Sequence, residues 1–298
     1  MAMVLLCLVP LVGAAACRTG TTDVREGGRI EVVAVHPAWG DLARQLGGVE
    51  VDVRTLVDRP GIDPHDYEPS SDDALALAKA RLVVVNGIGY DAWAGKLLDA
   101  NPVDGRRVLD VGNVLGVRAG GNPHQWYSPD AVDEVATAIT AALTALEPDR
   151  RAYFAEQRRT LDRVLTPYYA LVDELEQTYA GTPIGATESM VAPLAGALGL
   201  EVLTPRRFVN AVSQGADPSA ADRVAVEEQL TSKAVRVLVY NPQNATPDVQ
   251  GLVGVAERAG IPVVRMTETP PRRGEGFADW QVEQLVSLRD ALARATRR

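Results

Sequence analysis

Short apolar runs of strand length alternate along the chain with longer segments of helical period. Eight runs are predicted as strands, at residues 30–35, 51–57, 82–86, 107–111, 183–187, 201–204, 236–240 and 262–267. A long helical segment at residues 148–179 separates the first four runs from the last four. We expect Pro167 to kink this helix, because proline has no amide hydrogen for the carbonyl four residues earlier. Strands that alternate with helices are typical of βα units around a parallel sheet.

The pattern predicts an α/β protein of two lobes, each a four-stranded parallel sheet flanked by helices, joined by one long helix. We place the N-terminal lobe at residues 30–147, the linking helix at 148–180 and the C-terminal lobe at 181–298. No repeat with a period of about 20 to 50 residues relates the two halves.

The N-terminus predicts an exported protein. Residues 1–17 form a signal segment whose apolar run is too short to span a bilayer, and residues 18–29 form a polar tether. Small residues directly before Cys17 resemble a bacterial lipobox, although Ala14 stands where Leu is usual and no Lys or Arg precedes the run. We therefore expect Cys17 to be lipidated and to anchor the protein to the outer face of the cell membrane. An ordinary cleaved signal is the alternative.

Composition narrows the class of partner. The formal net charge of −9 over 298 residues argues against a surface for nucleic acid or anionic membrane, and it favours attraction of a cation. Both cysteines, Cys7 and Cys17, precede the tether, so the rest of the chain has neither disulfides nor thiolate metal sites.

The three histidines are the best indication of chemistry. His65 and His124 each follow a proline, in Asp63-Pro64-His65 and Asn122-Pro123-His124, and proline holds the imidazole on a stiff turn. His36 follows the first strand. Taken alone, each histidine is also compatible with an ordinary turn or surface residue.

The second half supplies oxygen ligands at corresponding places. Glu188, Asn241 and Glu268 each follow a predicted strand, and ligands of open parallel sheets bind beyond the carboxyl ends of the strands. We therefore expect imidazoles from one lobe to meet carboxylates from the other around a divalent metal. Glu188 alone is equally compatible with a helix N-terminus, and Glu268 with a solvated loop.

Several motifs together resemble the metal-binding lipoproteins of zinc and manganese ABC importers, over nearly the whole mature chain. They are the segment 63–70 (DPHDYEPS), 83–93 (VVVNGIGYDAW), 122–127 (NPHQWY), 187–188 (TE), 239–243 (VYNPQ) and 267–270 (TETP). The resemblance implies two similar lobes, one long rigid helix between them, and a metal held between the lobes.

The resemblance also implies a ligand set. The two histidines of the family correspond to His65 and His124, its third ligand to Glu188, and its fourth, usually Asp, to Glu268. His36 is kept as a possible ligand. We expect Asn241 and Gln243 to donate hydrogen bonds to the ligand carboxylates, with Asp66 or Glu68 orienting an imidazole, as outer residues of metal sites commonly do. The side chains of Trp93, Trp126, Trp280 and Tyr127 are expected to pack around the cleft.

Two imidazoles with two carboxylates favour manganese or iron more than three imidazoles would, yet zinc generally binds such ligands more tightly than manganese. We rank zinc first and manganese second. Because only neutral imidazole binds metal, affinity is expected to fall as the pH drops through about 6 to 6.5. Affinities measured by competition with a chelator that stay constant between about pH 5 and 7.5 would contradict this.

The predicted function is capture of the metal outside the membrane and its delivery, by a monomer, to an ABC permease with a cytosolic ATPase, without catalysis. Because a long helix resists wide hinge motion, release is expected to need only small shifts. One alternative is a zinc hydrolase with three protein ligands and a water; no HExxH motif or evident general base accompanies the histidines. The second alternative is a metal-binding surface adhesin.

Overall fold

Two four-stranded parallel sheets form the framework, as predicted. The computed structural model describes residues 28–59 and 67–296. The strands are β1 (Ile30–Ala34), β2 (Val51–Thr55), β3 (Leu82–Val85), β4 (Arg107–Asp110), β5 (Pro183–Ala186), β6 (Glu201–Val202), β7 (Val237–Tyr240) and β8 (Val263–Arg265). All eight predicted strands are present. Each is one to three residues shorter than predicted, because strand pairing stops where the chain turns into the loop that follows or precedes it.

Eleven α-helices occur within the described ranges. They are α1 (Pro37–Gly47), α2 (Ser71–Lys79), α3 (Ala92–Ala100), α4 (Val111–Val114), α5 (Pro129–Leu146), α6 (Arg151–Tyr179), α7 (Ala192–Ala197), α8 (Arg206–Ser213), α9 (Ala220–Thr231), α10 (Pro247–Arg258) and α11 (Phe277–Thr296). Helix α6 is the predicted linking helix, and it continues as one helix through Pro167. Among these helices, none has the length and apolar character needed to cross a membrane.

The two sheets have the same strand order, β2-β1-β3-β4 and β6-β5-β7-β8. The first strand of each lobe therefore lies beside the third, and the connections leave from it in opposite directions. Ligands of open parallel sheets bind at such a switch point, outside the carboxyl ends of the strands. The repeated topology defines one switch point in each lobe, although no sequence repeat was visible.

Side-chain caps fix where several helices begin. Ser128 caps α5 and Thr246 caps α10, and each is followed by a proline at the first helical position, where no amide hydrogen is needed. Ser70 and Asp73 form a reciprocal capping box at the start of α2.

The main hydrophobic core is continuous from one lobe to the other. In the first sheet, Val32 and Ala34 face this core, whereas Val33 and Val35 belong to a smaller cluster that packs under α2 and α3. Helix α6 contributes buried residues to the main core along much of its length, including Tyr168. This shared core makes the linking helix part of both lobes.

Candidate metal site

Polar side chains occupy the carboxyl ends of the central strands in both lobes. His36 follows β1 and Asn86 lies directly after β3, while Glu188 follows β5 and Asn241 follows β7. All four are at most 2% exposed. The two switch points therefore present buried polar groups, as expected for a binding cleft.

His124 lies at the end of the turn that precedes α5 and is completely buried. Its Nδ1 lies 2.9 Å from Oδ1 of Asn122, whose Nδ2 donates to the carbonyl of Ser189 in the second lobe. The Asn122 oxygen can only accept, so Nδ1 of His124 carries a proton, and in the neutral imidazole Nε2 carries the lone pair. A second hydrogen bond that fixes the other ring nitrogen is typical of metal-binding histidines.

The lone pair of His124 faces a carboxylate of the second lobe. Nε2 of His124 lies 3.3 Å from Oε2 of Glu268, which is also completely buried. This is about the separation of neighbouring ligand atoms in a tetrahedral zinc site with bonds of about 2.0–2.1 Å. The predicted meeting of an imidazole from one lobe with a carboxylate from the other is therefore present.

Asn241 joins the two buried carboxylates. Its Nδ2 lies 3.2 Å from Oε2 of Glu188 and 3.3 Å from Oε1 of Glu268, and its Oδ1 accepts the amide hydrogen of Gln243. That last bond fixes the orientation of the amide group, so the donor faces the carboxylates. Asn241 thus has the contacts expected from its position.

Among the hydrogen bonds of the described residues, Gln243 contacts the loop that carries Glu268 and not the carboxylate of Glu188 or Glu268, in contrast to the prediction. Its Oε1 accepts the amide hydrogens of Glu268 and Thr269, and its Nε2 donates to Thr269 Oγ1. These bonds fix the backbone of the loop that carries Glu268. Glu68 is exposed.

A glycine-rich turn after β3 presents Tyr90, whose hydroxyl donates to Oε2 of Glu268 over 3.0 Å.

Asp91 and Gly87 fix the shape of this turn. The carboxylate of Asp91 accepts the amide hydrogens of Asn86 and Gly87. Burial raises the pKa of Asp91 to about 6, and these hydrogen bonds oppose the rise. Gly87 has φ +68°, and a Cβ there would lie 2.4 Å from Oδ1 of Asp110. Only glycine fits this close approach.

His36 is placed differently from His124. Nδ1 of His36 accepts the amide hydrogen of Ala38, and Nε2 lies 3.0 Å from the carbonyl oxygen of Glu268. Both ring nitrogens are therefore engaged with main-chain groups, which argues against the possible ligand role for His36.

The remaining predicted residues lie outside the described ranges. They are His65 and Asp66, together with Cys17, the signal segment and most of the tether. Within residues 28–59 and 67–296, no three His, Cys, Asp or Glu side chains form a group that would hold a metal ion. The four-ligand set with His65 stays a prediction.

Aromatic rings line the first-lobe side of the site, as predicted for Trp126 and Tyr127. The Trp126 ring stacks on His36, with centroids 3.8 Å apart, and meets His124 edge-on at 5.3 Å. Tyr127 is completely buried, and desolvation raises the pKa of its hydroxyl well above the ordinary value.

Tyr90 and Asn122 were not identified as site residues from the sequence. The signal that was available for them is their position in the NGIGYD and NPH turns.

Burial makes the protonation of His36 costly, which gives a pH dependence of stability. Desolvation lowers the pKa of His36 to about 3 in the folded protein, against about 6.5 in the unfolded chain. The contribution of neutral His36 to the stability of the folded protein is therefore complete above about pH 6.5, and it is lost as the pH falls towards 3. Between pH 7 and 5 we expect metal-free protein to lose about 2 kcal/mol through this residue. Urea unfolding of wild type and His36→Asn at several pH values gives the slope of the unfolding free energy against pH for each protein, and the difference between the two slopes measures this contribution. Equal slopes would contradict the prediction.

Asn241 is expected to stabilise the metal-free protein, because its amide separates two buried carboxylates. Asn241→Asp replaces a donor with a third acidic group, and we expect a loss of about 3 kcal/mol at pH 7. Urea unfolding of metal-free protein measures the change. Asn244→Asp is the matched control, because among the described residues the Asn244 amide donates to the carbonyl of Val212 and not to a carboxylate. Equal losses in the two variants would show that Asn241 has no special role.

The two lobes, the long helix between them and the buried cleft match the fold of solute-binding proteins. A solved structure of a metal-free periplasmic metal-binding protein (S38A mutant) from Candidatus Liberibacter asiaticus has the same fold, with a TM-score of 0.74, 19% identity, and coverage of 88% of this chain and 98% of that one. The chain belongs to the family described as zinc-uptake complex component A, periplasmic (ZnuA), whose model matches residues 32–291.

Two curated relatives differ in the metal that they are named for. The manganese ABC transporter substrate-binding lipoprotein PsaA of Streptococcus mitis is 26% identical over 175 residues, which cover 54% of each chain. The zinc-binding lipoprotein AdcA of Streptococcus pneumoniae is 23% identical over 291 residues, which cover 88% of this chain and 56% of that one. The chain spans about half the length of the curated relatives it matches.

Proposed function

We propose that the protein captures a divalent transition metal outside the cytoplasmic membrane and delivers it to an ABC importer. The observation that carries this proposal is the approach of His124 Nε2 to Glu268 Oε2 across the lobes, 3.3 Å apart and fully buried. In the neutral tautomer that donates to Asn122, both atoms carry lone pairs, and a cation can bridge them. A divalent cation would also balance the charge of the buried carboxylate.

The proposed ligands are His65 and His124 from the first lobe and Glu188 and Glu268 from the second. The chemistry of this donor set suits zinc or manganese. Asn241 would release the two carboxylates to the incoming cation, since its Nδ2 contacts both at distances that are long for hydrogen bonds. No catalytic step is proposed.

We rank zinc ahead of manganese as the transported metal. The order of stability for nitrogen and oxygen ligands favours zinc, and the family takes its name from zinc uptake. Manganese is the second candidate, because two carboxylates make the donor set harder and because PsaA is named for manganese.

Release is proposed to need small movements only. Helix α6 is part of a hydrophobic core that is continuous between the lobes, so a wide opening would expose apolar surface.

The remaining parts of the proposal concern organisation and location. We keep residues 30–147 as the N-terminal lobe, 148–180 as the linking helix and 181–298 as the C-terminal lobe. Lipidation of Cys17, a monomeric state, and docking to a permease with a cytosolic ATPase belong to the same proposal.

Metal titration of the wild-type protein tests this function. Protein stripped with a chelator and dialysed should take up one equivalent of zinc, with manganese bound more weakly, in calorimetry or in competition with a chelating dye. Zinc-loaded protein should unfold at a higher temperature, because a ligand that binds only the native state stabilises it. Absence of stoichiometric binding of either ion would refute the proposal.

A further inference from the structure

The ring of His36 contacts both lobes. It lies at the N-terminal end of α1 in the first lobe, where Nδ1 caps the helix by accepting from the Ala38 amide over 3.2 Å. Its Nε2 lies 3.0 Å from the carbonyl oxygen of Glu268 in the second lobe. A single side chain thus links the start of a first-lobe helix to the backbone of a proposed ligand.

The two contacts determine which ring nitrogen carries the proton. The Ala38 amide can only donate, so Nδ1 must be the unprotonated acceptor. Nε2 therefore carries the hydrogen and donates it to the carbonyl of Glu268, which can only accept. This tautomer is the opposite of that of His124, whose Nδ1 is protonated and whose Nε2 faces the carboxylate of Glu268.

Trp126 holds the His36 ring in this orientation. The two rings are stacked with an interplanar angle of 20°, and the same indole meets His124 edge-on. Because His36 is completely buried, rotation of its ring would leave the Glu268 carbonyl without this donor in a dry environment. The bond is therefore a constraint on where Glu268 can lie.

A second bond from α1 holds the far end of the same loop. Asp41 of α1 accepts the amide hydrogen of Phe277, the first residue of α11, over 2.8 Å. The segment from Glu268 to Phe277 is thus fixed to one helix of the opposite lobe at both ends. Movement of that helix relative to the second lobe would act directly on Glu268.

We propose that His36 is a positioning residue that holds Glu268 in place for the metal through the bond between the lobes, without binding the metal itself. The proposal rests on the function proposed above, in which Glu268 is a ligand. Breaking the bond between His36 and Glu268 is then a step in metal release.

Two variants remove this bond in different ways. In His36→Asn, the side chain keeps a helix-capping oxygen but is too short to reach Glu268. In His36→Phe, the ring can still stack on Trp126 but has no hydrogen to donate. We expect both variants to release bound metal on the order of tenfold faster than wild type, the range found for outer residues of metal sites. Stopped-flow mixing of loaded protein with excess chelator measures the rate.

Thr246→Ala is the matched control. Thr246 caps α10 with its side chain and has no contact with the site among the hydrogen bonds of the described residues, so its loss mimics only the loss of the helix cap in His36→Phe. We expect a lower Tm, by roughly 2 to 4 °C, and an unchanged metal dissociation rate.

The histidine ¹⁵N spectrum of ¹¹³Cd²⁺-loaded wild type separates positioning from ligation. If His36 positions Glu268, neither of its ring nitrogens is coupled to the cadmium, because neither is a donor atom. A cadmium coupling at His36 would make it a ligand and would overturn the proposal, as would an unchanged dissociation rate in both His36 variants.

His124→Ala tests the site itself, so the two proposals can fail separately. Metal binding at wild-type strength in His124→Ala would refute the proposed function, whatever the His36 variants do. Should the His36 variants fail to fold, histidine ¹⁵N NMR of zinc-loaded wild type decides the question, since the chain has only three histidines. His36 must then show a proton on Nε2 and none on Nδ1; the reverse tautomer would overturn the positioning role.

Discussion

Removing a single proposed ligand is expected to cost more than about 100-fold in metal affinity, above the 10- to 100-fold typical of outer residues. The changes are His124→Ala, which deletes the nitrogen that faces Glu268, and Glu188→Gln, which removes the charge that Asn241 contacts. A cation that enters a buried cleft needs both, because the protein donors must replace its hydration shell and balance its charge. Competition with a chelating dye gives the affinity of each variant.

Glu50 provides the matched control for Glu188. Both glutamates are buried, at 7% and 2% exposure, but Glu50 lies before β2 and its carboxylate faces Arg150 at 3.9 Å, away from the cleft. Glu50→Gln should therefore bind metal as wild type does. If Glu188→Gln retains wild-type affinity as well, the second-lobe carboxylate has been assigned wrongly.

Trp126→Ala is expected to destabilise the metal-free protein by about 3 to 5 kcal/mol, the usual range for deletion of a large buried aromatic side chain. Trp126 has no exposed surface and contacts His36, Tyr90, His124 and Tyr127. Its removal leaves a cavity directly behind the site. We expect metal affinity to fall as well, because both histidine rings lose the surface that orients them. Urea unfolding and chelator competition measure the two effects.

Trp93 was expected to pack around the cleft, but it lies on the small core cluster of the first lobe, so it shows what a tryptophan outside the site contributes. Its ring is half-buried and lies 5.2 Å from that of Tyr67, on the small core cluster of the first lobe. Trp93→Ala should cost less stability than Trp126→Ala, since less apolar surface is lost, and it should leave metal affinity unchanged. A loss in Trp126→Ala below about 1 kcal/mol would mean that the cleft tolerates the cavity by collapsing.

Several contacts in the site depend on residues far apart in sequence. The bond between His36 and Glu268 joins positions 232 residues apart, and that between Tyr90 and Glu268 joins positions 178 apart. Local pattern placed each of these residues at the end of a strand or in a turn, but it carried no information on which atom faces which. Gln243 illustrates this, because its side chain was expected at a carboxylate and instead binds the backbone of Glu268 and Thr269.

The sequence by itself determined the eight strands, the long helix, the strand ends that carry Glu188 and Glu268, and the proline turn that carries His124. Hydrophobic periodicity is a local property, and the carboxyl ends of parallel strands meet at one edge of a sheet, so these features follow without knowledge of the fold. Only the tertiary structure decided that His124 presents a lone pair to the cleft while His36 donates a proton to a backbone carbonyl. The physical reason is that the tautomer of an imidazole is set by its hydrogen-bond partners. The packing of the two lobes brings the Glu268 carbonyl to His36, and it brings the Ser189 carbonyl that orients the Asn122 amide beside His124.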